Sequence, residues 1–460
     1  MKKKIIVIGA GVGGSASAAL LAKAGHDVTL LEAHSFPGGR CSTIERDSFY
    51  YDFGVHMFSR GNRGPHGRIN QILGGNLSWV IRNPSCRVMG RTEFDFPLDI
   101  TPLFTRFKLA GKLGTPVRKY PGAYRLFQAL LSGNFNESDD SALLRDYVSR
   151  YTDDETLHVF VNCIAQLYFA LSYQEVSAGE FVWCFSRMFN EAGFGYPVGG
   201  GAAIPRSFLK SLKRFGGEVH YNEPVRGFRV ENGRVTGVET DSDFYESDIV
   251  ISSMGLSRTI DVAGKDLFPE EYVKRAGAYC YSNPYIAIKY ALDRPVIPYP
   301  VVFHMPDLPP EKVFEYIEKS SVPEDPYIFM PVPSNHDPNL APPGKQMVIA
   351  GTAAPPKASE ELCSAILEVV HRKVCDLFPG FEDSILWQSR SNRSDAERLT
   401  WHPAGEAIGI GQFPDQVGAR RPDHKTPING LWLVGSDVGA RGIGTEMAAG
   451  SALNLVEKIK

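Results

Sequence analysis

Short β-branched runs and Ala- and Leu-rich stretches alternate at the start of the chain. Ile5-Ile6-Val7-Ile8 predicts a buried parallel strand. Met1-Lys2-Lys3-Lys4 before an apolar run has the look of a secretion signal, but the glycines that follow work against a continuous apolar helix. Ser15 to Lys23 predicts a helix stopped at Gly25, and Val28 to Leu31 a second strand. Further on, a helix over Ile204–Phe215 ends at Gly216-Gly217, before a strand over Glu218–Tyr221. Asn232-Gly233, between Val225–Val230 and Arg234–Glu239, marks a hairpin with a type I′ turn. Ser247–Ser252 and Gly430–Asp437 each hold a short buried strand, and a last helix runs to about Ile459. Between these units, Ser141–Tyr173 and Ala178–Phe189 are expected to be helical, and Tyr285–Leu292 a strand carrying Lys289. Phe181, Phe185, Met188 and Phe189 share one helical face, with Trp183 off it; they suit an apolar pocket or ordinary core packing.

Length changes this picture, because 460 residues exceed one ordinary core and imply about two to three domains. Charge nearly balances, 49 basic against 52 acidic side chains, which argues against nucleic acid as a partner. Seven scattered cysteines contain no Cys-x-x-Cys pair; this argues against a disulfide framework and the common zinc clusters, and fits a reducing cytoplasm. No apolar run reaches bilayer length, so no spanning segment is expected.

The chemistry begins at Gly9-Ala10-Gly11-Val12-Gly13-Gly14. Gly9, Gly11 and Gly14 match G-x-G-x-x-G between a predicted strand and helix, and Glu32 ends the next strand, 18 residues after Gly14. Gly9 permits the tight turn, Gly11 lets backbone approach a pyrophosphate, and Gly14 allows close helix–strand packing. The helix start at Val12 and Gly13 offers free N–H groups to phosphate. Glu32 would accept from a ribose 2′-hydroxyl and disfavour a 2′-phosphate.

Pro37-Gly38-Gly39-Arg40 and Tyr51-Asp52-Phe53-Gly54-Val55-His56 follow. With these the chain resembles the FAD-dependent family of phytoene desaturases, carotenoid isomerases, retinol saturases and flavin amine oxidases. The resemblance implies noncovalent FAD, with Gly39 and Arg40 along the pyrophosphate, and Gly54, Val55 and His56 beside the isoalloxazine ring. A fixed guanidinium suits a diphosphate, and glycine lets backbone lie against a flat ring. A surface arginine and a satisfied core histidine are the plainer readings of Arg40 and His56. The middle segment is similar to the family's second FAD segment, with Val225 at the adenine-contacting position. Near the C-terminus, Gly435 and Asp437 match the Gly-x-Asp that contacts ribityl and pyrophosphate. Gly444, Thr445 and Met447 match the helix start facing the flavin pyrimidine, where N–H groups stabilise negative charge.

The resemblance also implies the architecture: an α/β chain, a Rossmann-like FAD-binding domain with an inserted α+β substrate-binding domain. The first comprises 1–70, 190–260 and 395–460; the second, 71–189 and 261–394, carries a helical cap. The implied function is hydrogen addition or removal at a carbon–carbon bond of a hydrophobic, isoprenoid-like substrate, with an external electron donor or acceptor. Candidate catalytic groups are Glu446 at the last helix start, His56, and Lys289, which matches an amine oxidase strand lysine; a first-turn acid facing solvent and an exposed edge-strand lysine are the plainer readings. The rivals are a flavin amine oxidase and a non-enzymatic prenyl-protein binder of the Rab GDP dissociation inhibitor type. The absence of an aromatic between Ser436 and Gly444 counts against the former. Residues 101–130 hold six basic side chains and no acid, and aromatics interleave from Phe104 to Phe127. This suits a peripheral contact with an anionic membrane over 104–127 or, equally, a solvated helical face.

Overall fold

The computed structural model describes residues 2–459 apart from 55, 192–193, 403–404 and 440; the expected role of Val55 therefore lies outside the described residues. A five-stranded parallel sheet has the order Leu431–Leu433, Ile249–Ser252, Lys4–Ile8, Asp27–Leu31, Glu218–His220. Parallel strands are covered on both faces, and the first strand shows how. Ile5 and Val7 point into one core with the helices Val12–Lys23, Ala203–Arg214 and Gly444–Ile459. Ile6 and Ile8 point into another core, shared with the hairpin Val225–Glu231/Arg234–Thr240 and the helix Leu256–Ala263. The hairpin turn has positive φ at both Asn232 (50°) and Gly233 (74°), as a type I′ turn requires.

A second, seven-stranded sheet runs Ile385–Ser391, Tyr285–Leu292, Gln346–Ala353, Ile328–Pro331, Val301–Met305, Cys86–Gly90, Phe94–Phe96. Its pairs are antiparallel except Val301–Met305 with Cys86–Gly90. Helices including Tyr120–Ser132, Glu155–Phe169 and Ala178–Glu191 share its main core. Among the described residues, no helix is long and apolar enough to cross a membrane.

Two expectations change. The stretch Ser141–Tyr173 is not continuously helical: Leu144–Ser149 ends, and Asp154 caps a new helix, its side chain accepting from the Leu157 amide at 3.0 Å. Lys289 is not on an edge. Ile385–Ser391 pairs outside its strand, and the side chain is 1% exposed.

Candidate functional site

A long cavity lies between the two sheets, beginning at the carboxyl end of the first strand, and Gly9, Gly11, Val12 and Gly13 form one wall. Gly11 caps the first helix without any side-chain hydrogen bond, which leaves the helix's first amides facing the cavity. Gly14 does not line it. A Cβ there would lie 2.0 Å from the Gly9 carbonyl oxygen, so this glycine serves the close contact of helix and strand. A Cβ on Gly13 would stand 3.1 Å from the Cα of Gly435, which brings the C-terminal segment against the helix start. The buried Glu32 carboxylate accepts from the Ala10 amide at 2.6 Å and the His34 amide at 2.9 Å, and so braces the glycine turn while lining the cavity. Val225, Arg258 and Trp401 close this end, with the Arg258 guanidinium 5.4 Å from the indole centroid and its Nε buried without a partner.

The middle of the cavity holds Gly39, Arg40, Gly435 and Asp437. Arg40 forms an ion pair with Glu406, a residue the sequence reading missed. Glu406 also meets His402 Nδ1 at 2.7 Å, while its Oε2 is buried without a partner. Burial would raise the Glu406 pKa, but the charges of His402 and Arg40 outweigh it and hold the carboxyl at about 2. Asp437 accepts from the Leu256 and Ile410 amides, each at 3.0 Å, and pins two segments to the cavity wall.

At the far end stand Gly54, His56, Gly444, Thr445 and Glu446. A Cβ on Gly54 would come within 2.8 Å of the Arg40 carbonyl oxygen, so only glycine fits. Glu446 does not face solvent. Its carboxylate accepts from Ser59 Oγ at 3.0 Å and the Arg60 amide at 2.8 Å; burial raises its pKa, and Arg60 opposes. Met447 is a correction: its amide donates to the Ile443 carbonyl at 3.0 Å, the side chain is buried in the core, and the residue is not part of the cavity wall. Lys289 stays behind that wall as well. Its ammonium donates to Ser391 Oγ and lies 5.4 Å from the Phe53 ring, and burial lowers its pKa to about 7.

His56 stands where this cavity meets a second one. Met57, Leu167 and Tyr327 also belong to both, and beyond them the wall of the second cavity is mostly apolar and includes Phe96, Phe160, Met188, Phe189, Phe194 and Phe303. Arg82, Ser85, Tyr168, Tyr196 and His336 are its polar side chains away from the junction, and the two tyrosine hydroxyls donate to Met188 Sδ and the Asp52 carboxylate. Of the predicted aromatic helix face, Met188 and Phe189 line this cavity, whereas Phe181 and Phe185 are core. Arg441, beside the last helix, forms ion pairs with Asp140 and Glu180, and Glu180 accepts from the Gly442 amide at 2.9 Å.

The long cavity combines an uncapped helix start, close-packed glycines, a carboxylate at the second strand end, and Nε of Arg258 without a partner. Such a donor set fits an extended dinucleotide.

Comparison with known proteins agrees. Residues 13–459 match the family of flavin containing amine oxidoreductases. The zeta-carotene-forming phytoene desaturase of Myxococcus xanthus is 26% identical over 494 residues, covering 94% of this chain and 89% of that one. The chloroplastic prolycopene isomerase of Daucus carota is 25% identical over 486 residues, covering 94% and 75%. Among solved structures, an oxidoreductase from Methanosarcina mazei superposes with a TM-score of 0.77 at 22% identity, covering 99% of this chain and all of the other.

Proposed function

As the chain belongs to the flavin containing amine oxidoreductase family and is an FAD-dependent oxidoreductase, we propose that it adds or removes hydrogen across a carbon–carbon bond of an isoprenoid substrate. The observation that carries this reading is the second cavity, whose wall is mostly apolar, with five phenylalanines, and which meets the end of the first at His56. An apolar molecule offers few handles, so shape must position it. The relatives' names, a phytoene desaturase and a prolycopene isomerase, support the same class.

Bound FAD supplies hydride transfer to or from carbon. Glu32 and Val225 would hold its adenosine end, the amides at Val12 and Gly13 its phosphates, and the Gly54 and Thr445 segments its flavin end. Arg40, with its charge balanced by Glu406, gives the phosphates a fixed donor rather than a free cation. Glu446 orients the last helix through Ser59 and Arg60, and its two carboxylate oxygens are engaged there. Lys289, held by Ser391, lines neither cavity; this and the lack of an aromatic between Ser436 and Gly444 support a carbon–carbon substrate over an amine.

In this reading segments 1–70, 190–260 and 395–460 serve the cofactor, and 71–189 and 261–394 the substrate. The helix Leu103–Lys112 and the turn after it expose Phe104 (69%) and Val117 (77%) among basic side chains, which supports peripheral contact of 104–127 with an anionic membrane. Electrons would pass to an external partner unless the reaction is an isomerisation. The test is anaerobic incubation of the FAD-loaded protein with phytoene, prolycopene and an amine panel, followed by chromatography. A changed polyene is expected. Amine oxidation with every polyene unchanged would reject the proposal.

A further inference from the structure

A helix start that faces the flavin pyrimidine stabilises negative charge there through its free N–H groups. Two features of this chain work against that effect. The Glu446 and Met447 amides both donate to the Ile443 carbonyl, at 2.9 and 3.0 Å, and so are not free for a ligand. Glu446 also places a carboxylate in the first turn of the last helix, 5% exposed, on the cavity wall that it shares with Gly54, Ser59 and Thr445. A negative side chain at that position offsets the positive end of the helix dipole.

The cations nearby are already engaged. Arg60 gives its amide to Glu446, but its guanidinium makes two hydrogen bonds to Glu191, at 2.7 and 2.9 Å. Arg60, Glu191 and Glu446 together thus carry one net negative charge. Arg441 pairs with Asp140 and Glu180, and Arg40 with Glu406. His66 lies on the helix Pro65–Leu73, which packs against the last one. Burial lowers the pKa of His56 and of His66 to about 3, so both rings are neutral. Lys289 stands behind the wall, with its pKa lowered to about 7 by burial.

We propose that Glu446 is a redox-tuning residue: its carboxylate cancels the positive field of the last helix start, so that the bound flavin sits at a low reduction potential. Charge near the flavin ring is one of the protein's means of setting its electronics. A low potential favours hydride leaving the reduced flavin over hydride arriving. The inference rests on the assignment of the Gly54 and Thr445 segments to the flavin end.

Its test uses sulfite, which adds reversibly through its lone pair to flavin N5 and pushes an electron pair onto the pyrimidine side. Sulfite affinity therefore reports the field there with no substrate present. Glu446→Gln keeps the shape and removes the charge. In the FAD-loaded protein it should bind sulfite at least about tenfold more tightly, and the midpoint potential should rise by about 30 mV, the two-electron equivalent of tenfold. Glu191→Gln leaves Glu446 in place but releases the Arg60 guanidinium, and should shift both readouts the same way. Ser59→Ala loosens the hold on Glu446 without changing any charge, and should raise neither. Unchanged affinity and potential in Glu446→Gln, or an equal rise in Ser59→Ala, overturns the inference. If Glu446→Gln retains no flavin, Glu191→Gln decides, and no shift there overturns it. Neither readout involves a substrate, so failure of the isoprenoid reading leaves the tuning role standing.

Discussion

Glu406 offers a measurable link between charge and stability. Its carboxylate is buried between Arg40 and His402, and its pKa is held at about 2 against an ordinary 4.5. A carboxyl with a depressed folded-state pKa contributes stability that is present above its unfolded-state pKa and is lost as pH falls through the folded-state value. The shift corresponds to about 3 kcal/mol at pH 7, falling to about 2 kcal/mol by pH 3.5. A similar magnitude, about 3–5 kcal/mol, is typical when one partner of a buried ion pair is removed. Glu406→Gln keeps the shape and removes the charge. Urea unfolding of the FAD-free protein should therefore show the variant less stable by about 3 kcal/mol at pH 7, with the gap narrowing once pH drops below 4.5. Loss of the counterion also frees the Arg40 guanidinium, so residual FAD binding should become more sensitive to salt. A variant as stable as the parent at pH 7, or a gap that stays equally wide down to pH 3.5, would refute the reasoning.

Further outcomes are expected elsewhere. Glu32→Ala removes a charged acceptor that also braces the Ala10 and His34 amides, so FAD affinity should fall ten- to hundredfold, about 1.5–3 kcal/mol, in a fluorescence titration; unchanged affinity would count against the adenosine-end assignment. The parent protein should gain stability between pH 7 and 10.5, by at most about 1.4 kcal/mol per pH unit, because the folded state binds fewer protons at Lys289; Lys289→Met should lack that slope in denaturation curves. The double variant Phe104→Glu, Val117→Glu should lose co-sedimentation with phosphatidylglycerol vesicles that the parent shows at low salt, and equal sedimentation of both proteins would dismiss the membrane contact.

What could be read from the chain beforehand was what the chain carries locally. The strand–glycine–helix–acid unit from Ile5 to Glu32 is a run of neighbours, and its backbone geometry follows from glycine and β-branched positions. The Asn232-Gly233 hairpin was legible for the same reason. The helix break at Asp154 had a local signal too, a capping acid before Glu155, but apolar residues continue on both sides and mask it. Glu406 was hidden because its partner Arg40 is 366 residues away, and nothing in the letters around either one announces the other. The burial of Lys289 depends on Ile385–Ser391 pairing outside its strand, about a hundred residues later. The second cavity exists only in the fold, because Cys86–Gly90, Glu155–Phe169, Ala178–Glu191 and Val301–Met305 all contribute to its wall.

The Arg441 cluster bears on how anything enters that void. Its guanidinium joins Asp140 and Glu180, on two different segments of the helical layer, to the chain just before the last helix, and Glu180 adds a bond to the Gly442 amide. Swinging the helix Ala178–Glu191 outward would part buried opposite charges, at several kcal/mol. That helix is thus a doorpost rather than a door. Elsewhere in the wall, exposed Arg82 donates to the carbonyls of Asn335 and His336 at 3.0 and 3.3 Å, bonds to uncharged acceptors at the surface, where water can replace them. A long apolar molecule entering past Arg82 would run by Ser85 and Phe96 with its leading end aimed at His56.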